Sequence, residues 1–166
     1  VAGEKEMNVA TILKHKGSGV FSTTSDKSLL DIAKLLAQHG IGCLVIVGDD
    51  DRISGIVSER DLLRAISQGG PEVLKAPVSD FMTKTVITAR ESDTVDQLMT
   101  EMTTRRFRHM PVVERGRLVG LVSIGDLVKI QIAEIEMEAA MTREYTGLGG
   151  LSNTKRNLHN ETIART

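Results

Sequence analysis

Two serines stand three residues ahead of an aspartate in the same setting. They are Ser58-x-x-Asp61 and Ser123-x-x-Asp126, each preceded by Gly-aliphatic-Val. A serine placed where a strand becomes a helix is a preferred N-cap. The helix start behind it presents unpaired N–H groups and positive dipole potential, which suit an anion such as phosphate. Three residues on, the aspartate lies on the same face one turn away. A carboxylate there can accept hydrogen bonds from two neighbouring hydroxyls, as on a ribose. The same spacing also describes a capping box, in which the aspartate folds back on its own helix start. One isolated pair does not choose between the two.

The pairs sit inside an internal repeat. Arg52-Ile53-Ser54-Gly55-Ile56-Val57-Ser58-Glu59-Arg60-Asp61-Leu62 aligns with Arg117-Leu118-Val119-Gly120-Leu121-Val122-Ser123-Ile124-Gly125-Asp126-Leu127. Six of these eleven positions are identical and two more exchange Ile for Leu. Upstream, Val20-Phe21-Ser22 faces Val86-Ile87-Thr88, Ser28-Leu29 faces Thr94-Val95, and Val47 faces Val113.

The elements that must position the pairs follow from the pattern. Each half opens with a short extended segment and a Ser/Thr-rich turn. An amphipathic helix follows, carrying Leu29, Ile32, Ala33 and Leu36 or Val95, Leu98, Met99 and Met102 on one face. Two strands come next, 43–47 with 52–57 and 110–113 with 117–122, joined by hairpin-like links. A short helix then opens at Ser58 or Ser123. The expected fold is α/β (α+β), with two pseudo-symmetric β-α-β-β-α repeats packed as one module. The first repeat is expected over 9–68 and the second over 78–130. The joint 69–77 is marked by Gly69-Gly70-Pro71. A separate C-terminal helix is expected over 131–146 and a mobile tail over 147–166.

Composition narrows the function. The 166 residues carry 21 basic and 22 acidic side chains, so bulk charge gives no reason to expect a nucleic-acid or membrane-surface protein. Aromatic residues are Phe21, Phe81, Phe107 and Tyr145 with no Trp, too few for a base-stacking platform. Cys43 is alone, inside an apolar strand, and reads as a buried inert thiol. Asp49-Asp50-Asp51 lacks the remaining spacing of a calcium loop and reads as a solvated hairpin tip. The histidines show no metal-ligand spacing. Gly17-Ser18-Gly19 precedes a strand instead of following one, so it is not a dinucleotide fingerprint. No membrane-spanning run and no signal peptide are read, and a cytoplasmic protein is expected. No enzyme chemistry is expected, and no metal.

The doubled Gly-h-Val-Ser-x-x-Asp motif, with Arg106-Phe107-Arg108-His109-Met110-Pro111-Val112-Val113 leading into the second hairpin, resembles a tandem pair of cystathionine-β-synthase (CBS) domains. The resemblance covers about Val9 to Ile130. It implies a regulatory module that binds an adenine nucleotide (AMP, ADP, ATP or NADH) between the repeats. The Asp would hold the ribose, and Ser with nearby Arg or His would meet the phosphate. It also implies that each site draws on both halves. One would join Gly19, Val20, Ile41 and Gly42 to Ser123 and Asp126. The other would join Thr85, Val86, Phe107 and Arg108 to Ser58 and Asp61, with His109 close by. Arg108 is expected to be the main phosphate partner, because Arg105, Arg106, Arg108 and His109 have no basic run matching them in the first half, where only His39 stands. Position 45 is Val where the family often has Pro, so unequal sites are expected. A homodimer through the amphipathic helices and an unidentified regulated protein are the implied partners. The alternative is a structural dimerisation module with vestigial pockets, and nucleic acid binding through Arg105–Arg108 is the least favoured reading.

Overall fold

The computed structural model describes residues 7–151, with side chains through residue 146. One compact unit extends to Leu127 and a second begins at Val128. In the first, α1 (Val9–Lys16) precedes β1 (Ser22–Thr23), α2 (Leu29–His39), β2 (Cys43–Val47), β3 (Ile53–Ser58) and α3 (Glu59–Gly69). Two short 3₁₀ turns, Pro71–Lys75 and Val78–Asp80, occupy the joint region and the residues just beyond it. The second half follows with α4 (Val95–Arg105), β4 (His109–Glu114), β5 (Arg117–Ser123) and the start of α5 (Ile124–Leu151).

The two halves share their backbone details. Each hairpin pairs antiparallel, and the register slips at corresponding points, Ile46/Val47 and Val112/Val113. The helices are cut by side-chain caps. Ser28 Oγ accepts from the Asp31 N–H at the start of α2, and Thr94 Oγ1 accepts from the Gln97 N–H at the start of α4. Their apolar faces supply Leu29, Ile32 and Leu36, and Val95, Leu98 and Met102, all buried.

The opening extended segments are short, as expected. Only Ser22–Thr23 pairs with β2, in parallel, and its counterpart is a single bridge from Ala89 to Val112. Phe21 is 47% exposed and stacks on His39 with ring centroids 4.2 Å apart.

A feature the repeat did not predict is an exchange of leaders. The segment before each half packs on the other half. Asn8 bridges to Thr94, the Val9 N–H donates to the Asp93 carbonyl, and Leu13 covers Gly120 of β5. In the mirrored arrangement Ser28 bridges to Pro77, Ile56 exchanges two backbone hydrogen bonds with Thr83, and Met82 covers Gly55 of β3. Val78, the first residue expected in the second repeat, is buried in the core built by α2, β2, β3 and α3.

One expectation is corrected. The short helix at Ser123 and the helix expected over 131–146 are a single helix, α5, without a break. No Pro occurs within it, and between Gly125 and Gly147 there is no Gly, while Ala, Glu and Met are plentiful. Its part beyond Leu127 exposes Ile132, Ile135, Met137, Met141 and Tyr145. Helix backbone continues to Leu151, into the segment expected as a tail; the rest of that expected tail lies outside the described residues.

Candidate functional site

Both Ser-x-x-Asp pairs form where a strand ends and a helix begins. Ser58 closes β3 in extended geometry and N-caps α3, with φ −120° and ψ 166°. Its N–H and hydroxyl both donate to Asp61 Oδ2, at 2.8 and 2.7 Å. Ser123 does the same with Asp126 Oδ2, at 2.8 Å for each donor, and its Oγ accepts from the Asp126 N–H at 3.2 Å. Each aspartate therefore uses one carboxylate oxygen to hold its own helix start, as a capping box does. The other oxygen, Oδ1, is where a further donor can bind.

The exchanged leaders bring the second half to the first pair. Because Ile56 and Thr83 bond to each other, the chain from Thr83 to Ile87 passes the end of β3. From the other side, the Glu59 N–H of α3 donates to the Gly42 carbonyl, and the Ile124 N–H of α5 donates to the Arg108 carbonyl. The result is a cavity of about 760 Å³. Ser58, Asp61, Thr85, Val86, Phe107, Arg108 and His109 all line it. The sequence did not single out Arg60, Arg64 and Thr83, which share its wall. Arg64 was within reach of sequence reasoning, since it lies three residues after Asp61 on the same helix, and its guanidinium stands 3.8 Å from Asp61 Oδ1. Five arginines against Glu59 and Asp61 give this cavity a surplus of positive charge. Arg105 is engaged by Glu101 at 2.7 Å, whereas Arg106 and Arg108 meet no carboxylate within ion-pair distance among the described residues.

A second cavity, of about 350 Å³, gathers Gly19, Val20, Ile41, Gly42 and Ser123. Asp126 is not in its wall. Lys16, bound to Asp126 Oδ2 at 2.6 Å, is. Burial alone would raise the Asp126 pKa. The hydrogen bonds from Lys16 and then from Ser123 outweigh burial and hold its carboxyl below the usual range. Lys16 and Phe21 in this wall were missed, because only tertiary packing carries the end of α1 to the start of α5.

Gly42, Cys43 and His109 border both cavities. A β-carbon on Gly42 would sit 3.3 Å from His109 Cε1, so glycine lets the imidazole lie against the backbone. Burial, then the charge of Lys16, keeps the His109 pKa below its ordinary value against the pull of Asp126. Cys43 is buried, which pushes its thiol pKa up to about 12 and leaves it protonated and unreactive.

What this arrangement can do is enclose a ligand that offers hydroxyls to a carboxylate and an anion to a helix start and arginines. No described helix is long and apolar enough to cross a membrane.

Comparison with known proteins agrees with this architecture. The CBS domain model matches residues 17–68 and again 78–133. "CBS domain-containing protein CBSX3, mitochondrial" from Arabidopsis thaliana is 32% identical over 152 residues, covering 87% of this chain and 74% of that protein. The CBS-domain containing protein ATU1752 from Agrobacterium tumefaciens superposes with a TM-score of 0.74 at 42% identity, over 75% of this chain and 99% of that one. The CBS domain pair of protein MJ0100, solved with 5′-methylthioadenosine and S-adenosyl-L-methionine, gives 0.70 at 28% identity over 78% and 98% of the two chains. Protein PAE2072 from Pyrobaculum aerophilum, complexed with AMP, gives 0.65 at 29% identity over 72% and 89%. With a family match in each half, the expected α+β architecture and solved relatives of the same build, the chain belongs to the CBS-domain family as a pair of CBS repeats.

Proposed function

We propose that the chain is a regulatory module that senses an adenosine-containing nucleotide in the cavities between its repeats. The observation that carries this is the larger cavity. There a helix start with Ser58 and Asp61 from one half faces Thr85, Val86, Phe107 and Arg108 from the other. Adenine would lie against Val86 and Phe107, the ribose hydroxyls would donate to Asp61, and phosphate would meet Ser58 and Arg108. That two solved relatives carry AMP or S-adenosylmethionine and methylthioadenosine supports the ligand class. AMP, ADP, ATP and NADH all fit that class. Regulation needs differential affinity, since a ligand shifts an equilibrium only by binding one state more tightly. The reading assigns the chain no catalytic step of its own, and places it in the cytoplasm as a homodimer acting on a separate partner. Fractionation of cells expressing the chain separates that location from the mitochondrial one carried in the name of its plant relative.

The test is calorimetric titration of nucleotide-free protein with AMP, ATP, NADH and S-adenosylmethionine, beside Asp61→Ala and Asp126→Ala. Saturable binding that loses one site in Asp61→Ala, or in Asp126→Ala, is the expected result. Absence of heat with every ligand, in folded protein, would favour the second reading: a dimerisation module whose aspartates serve only as the caps they form here.

A further inference from the structure

The smaller cavity differs from the larger one in what holds its aspartate. Asp126 Oδ2 already takes three donors: the Ser123 N–H, the Ser123 hydroxyl and Lys16 Nζ. The side chains of Lys16 and Asp126 are only 34% and 19% exposed. In the larger cavity the nearest cation to the equivalent carboxylate is Arg64, from the same helix, at 3.8 Å and on the other oxygen. The second leader does not repeat this contact: Lys84, between Met82 and Val86, is exposed and forms no ion pair with Asp61 among the described residues.

Lys16 is also the only residue with a permanent charge among the described residues lining this cavity. Lys16 lines the cavity and Asp126 does not, so a ribose hydroxyl entering from the cavity meets the ammonium before it can reach the carboxylate. A displaced ammonium that is two-thirds shielded from water needs a new anion, or the exchange is unfavourable. A phosphate on the same ligand supplies one; a hydroxyl, a thioether or a sulfonium does not.

We propose that Lys16 is a specificity-determining latch: it holds Asp126 until an adenosine 5′-phosphate enters the smaller cavity, then transfers to the phosphate and frees Asp126 for the ribose. Adenosines with an uncharged or cationic 5′ end are thereby disfavoured at this site. The inference rests on the nucleotide reading given above and goes further, by assigning the two cavities different ligand selectivity.

The experiment uses the 166-residue chain carrying Asp61→Ala, which disables the larger site, titrated with AMP and with adenosine. AMP is expected to bind at least about tenfold more tightly than adenosine. Adding Lys16→Met should weaken AMP by about tenfold or more while leaving adenosine unchanged or tighter, so the preference collapses. Lys16→Arg should retain the preference. Equal affinity for AMP and adenosine with Lys16 intact overturns the latch without recourse to any variant, as does an unchanged ratio in folded Lys16→Met. If intact protein binds AMP but Asp61→Ala binds neither compound, the smaller cavity takes no adenosine and the latch fails alone; if intact protein binds neither, the nucleotide reading fails and the latch with it. Binding with an unaltered ratio removes the latch alone.

Discussion

The Met82 side chain lies so close over Gly55 that a β-carbon at Gly55 would sit 2.5 Å from its sulfur. The glycine of the repeated Gly-h-Val-Ser motif is thus a docking point for the other half's leader. Gly120 plays the same part under Leu13, where a β-carbon would sit 2.7 Å from the side-chain methyls. The glycines serve the exchange of leaders, and that exchange carries Thr85 and Val86 to Ser58.

Gly55→Ala should destabilise more than Gly120→Ala. The new methyl at Gly55 also meets the Thr83 carbonyl at 3.0 Å, a backbone atom held by its pairing with Ile56, whereas at Gly120 it meets only a flexible leucine. Overpacking of the first kind costs about 1–3 kcal/mol. Urea unfolding of both variants measures the order, and equal midpoints would show that the leader yields freely.

Ile12→Ala tests whether α1 belongs to the core of the second half. Ile12 is 1% exposed, so the loss should be about 2–5 kcal/mol. Leu63→Ala on α3, where the side chain is 70% exposed, should stay within about 0.5 kcal/mol. Denaturant midpoints of the two variants supply the comparison.

Acidification should weaken the ligand-free fold in two stages. Folding lowers the His109 pKa, so its contribution is whole above the unfolded value of 6.5 and declines as pH falls through the lower folded value. His109→Gln should flatten the dependence of melting temperature on pH in that window. Asp126 acts further down. Its carboxyl is held below 3.8, so the stabilisation is present above that value and is lost as pH falls through the folded pKa. Asp126→Asn should shrink the second stage, leaving the share carried by Asp26 and Asp31, whose carboxyls are also held low by hydrogen bonds.

The exposed apolar residues of α5 supply a test of self-association. Ile132 and Ile135 are 51% and 64% exposed and lie three residues apart, on one side of the helix. Under the homodimer proposed above, the pair Ile132→Glu and Ile135→Glu should shift the sedimenting species from dimer toward monomer, and an unchanged mass in ultracentrifugation would count against self-association through this face.

Sequence alone determined the repeat, both hairpins, the helices α2 to α4 and the two Ser-x-x-Asp pairs. Those features are written in local terms, a period of apolar residues or a cap spacing, which any stretch of chain reports about itself. It also implied, through family resemblance, that Gly19, Val20, Ile41 and Gly42 stand beside Ser123 and Asp126; the smaller cavity gathers them with Ser123, while Asp126 stays outside its wall behind Lys16. Tertiary structure alone decided the rest. The exception is the continuity of α5, a local property misread as two helices although no Pro, and between Gly125 and Gly147 no Gly, interrupts it. The docking of α1 on β5, the pairing of Lys16 with Asp126 and the His109 wall join residues far apart in the chain. Their attraction depends on three-dimensional proximity, through shared burial and short-range charge, and leaves no local pattern to read.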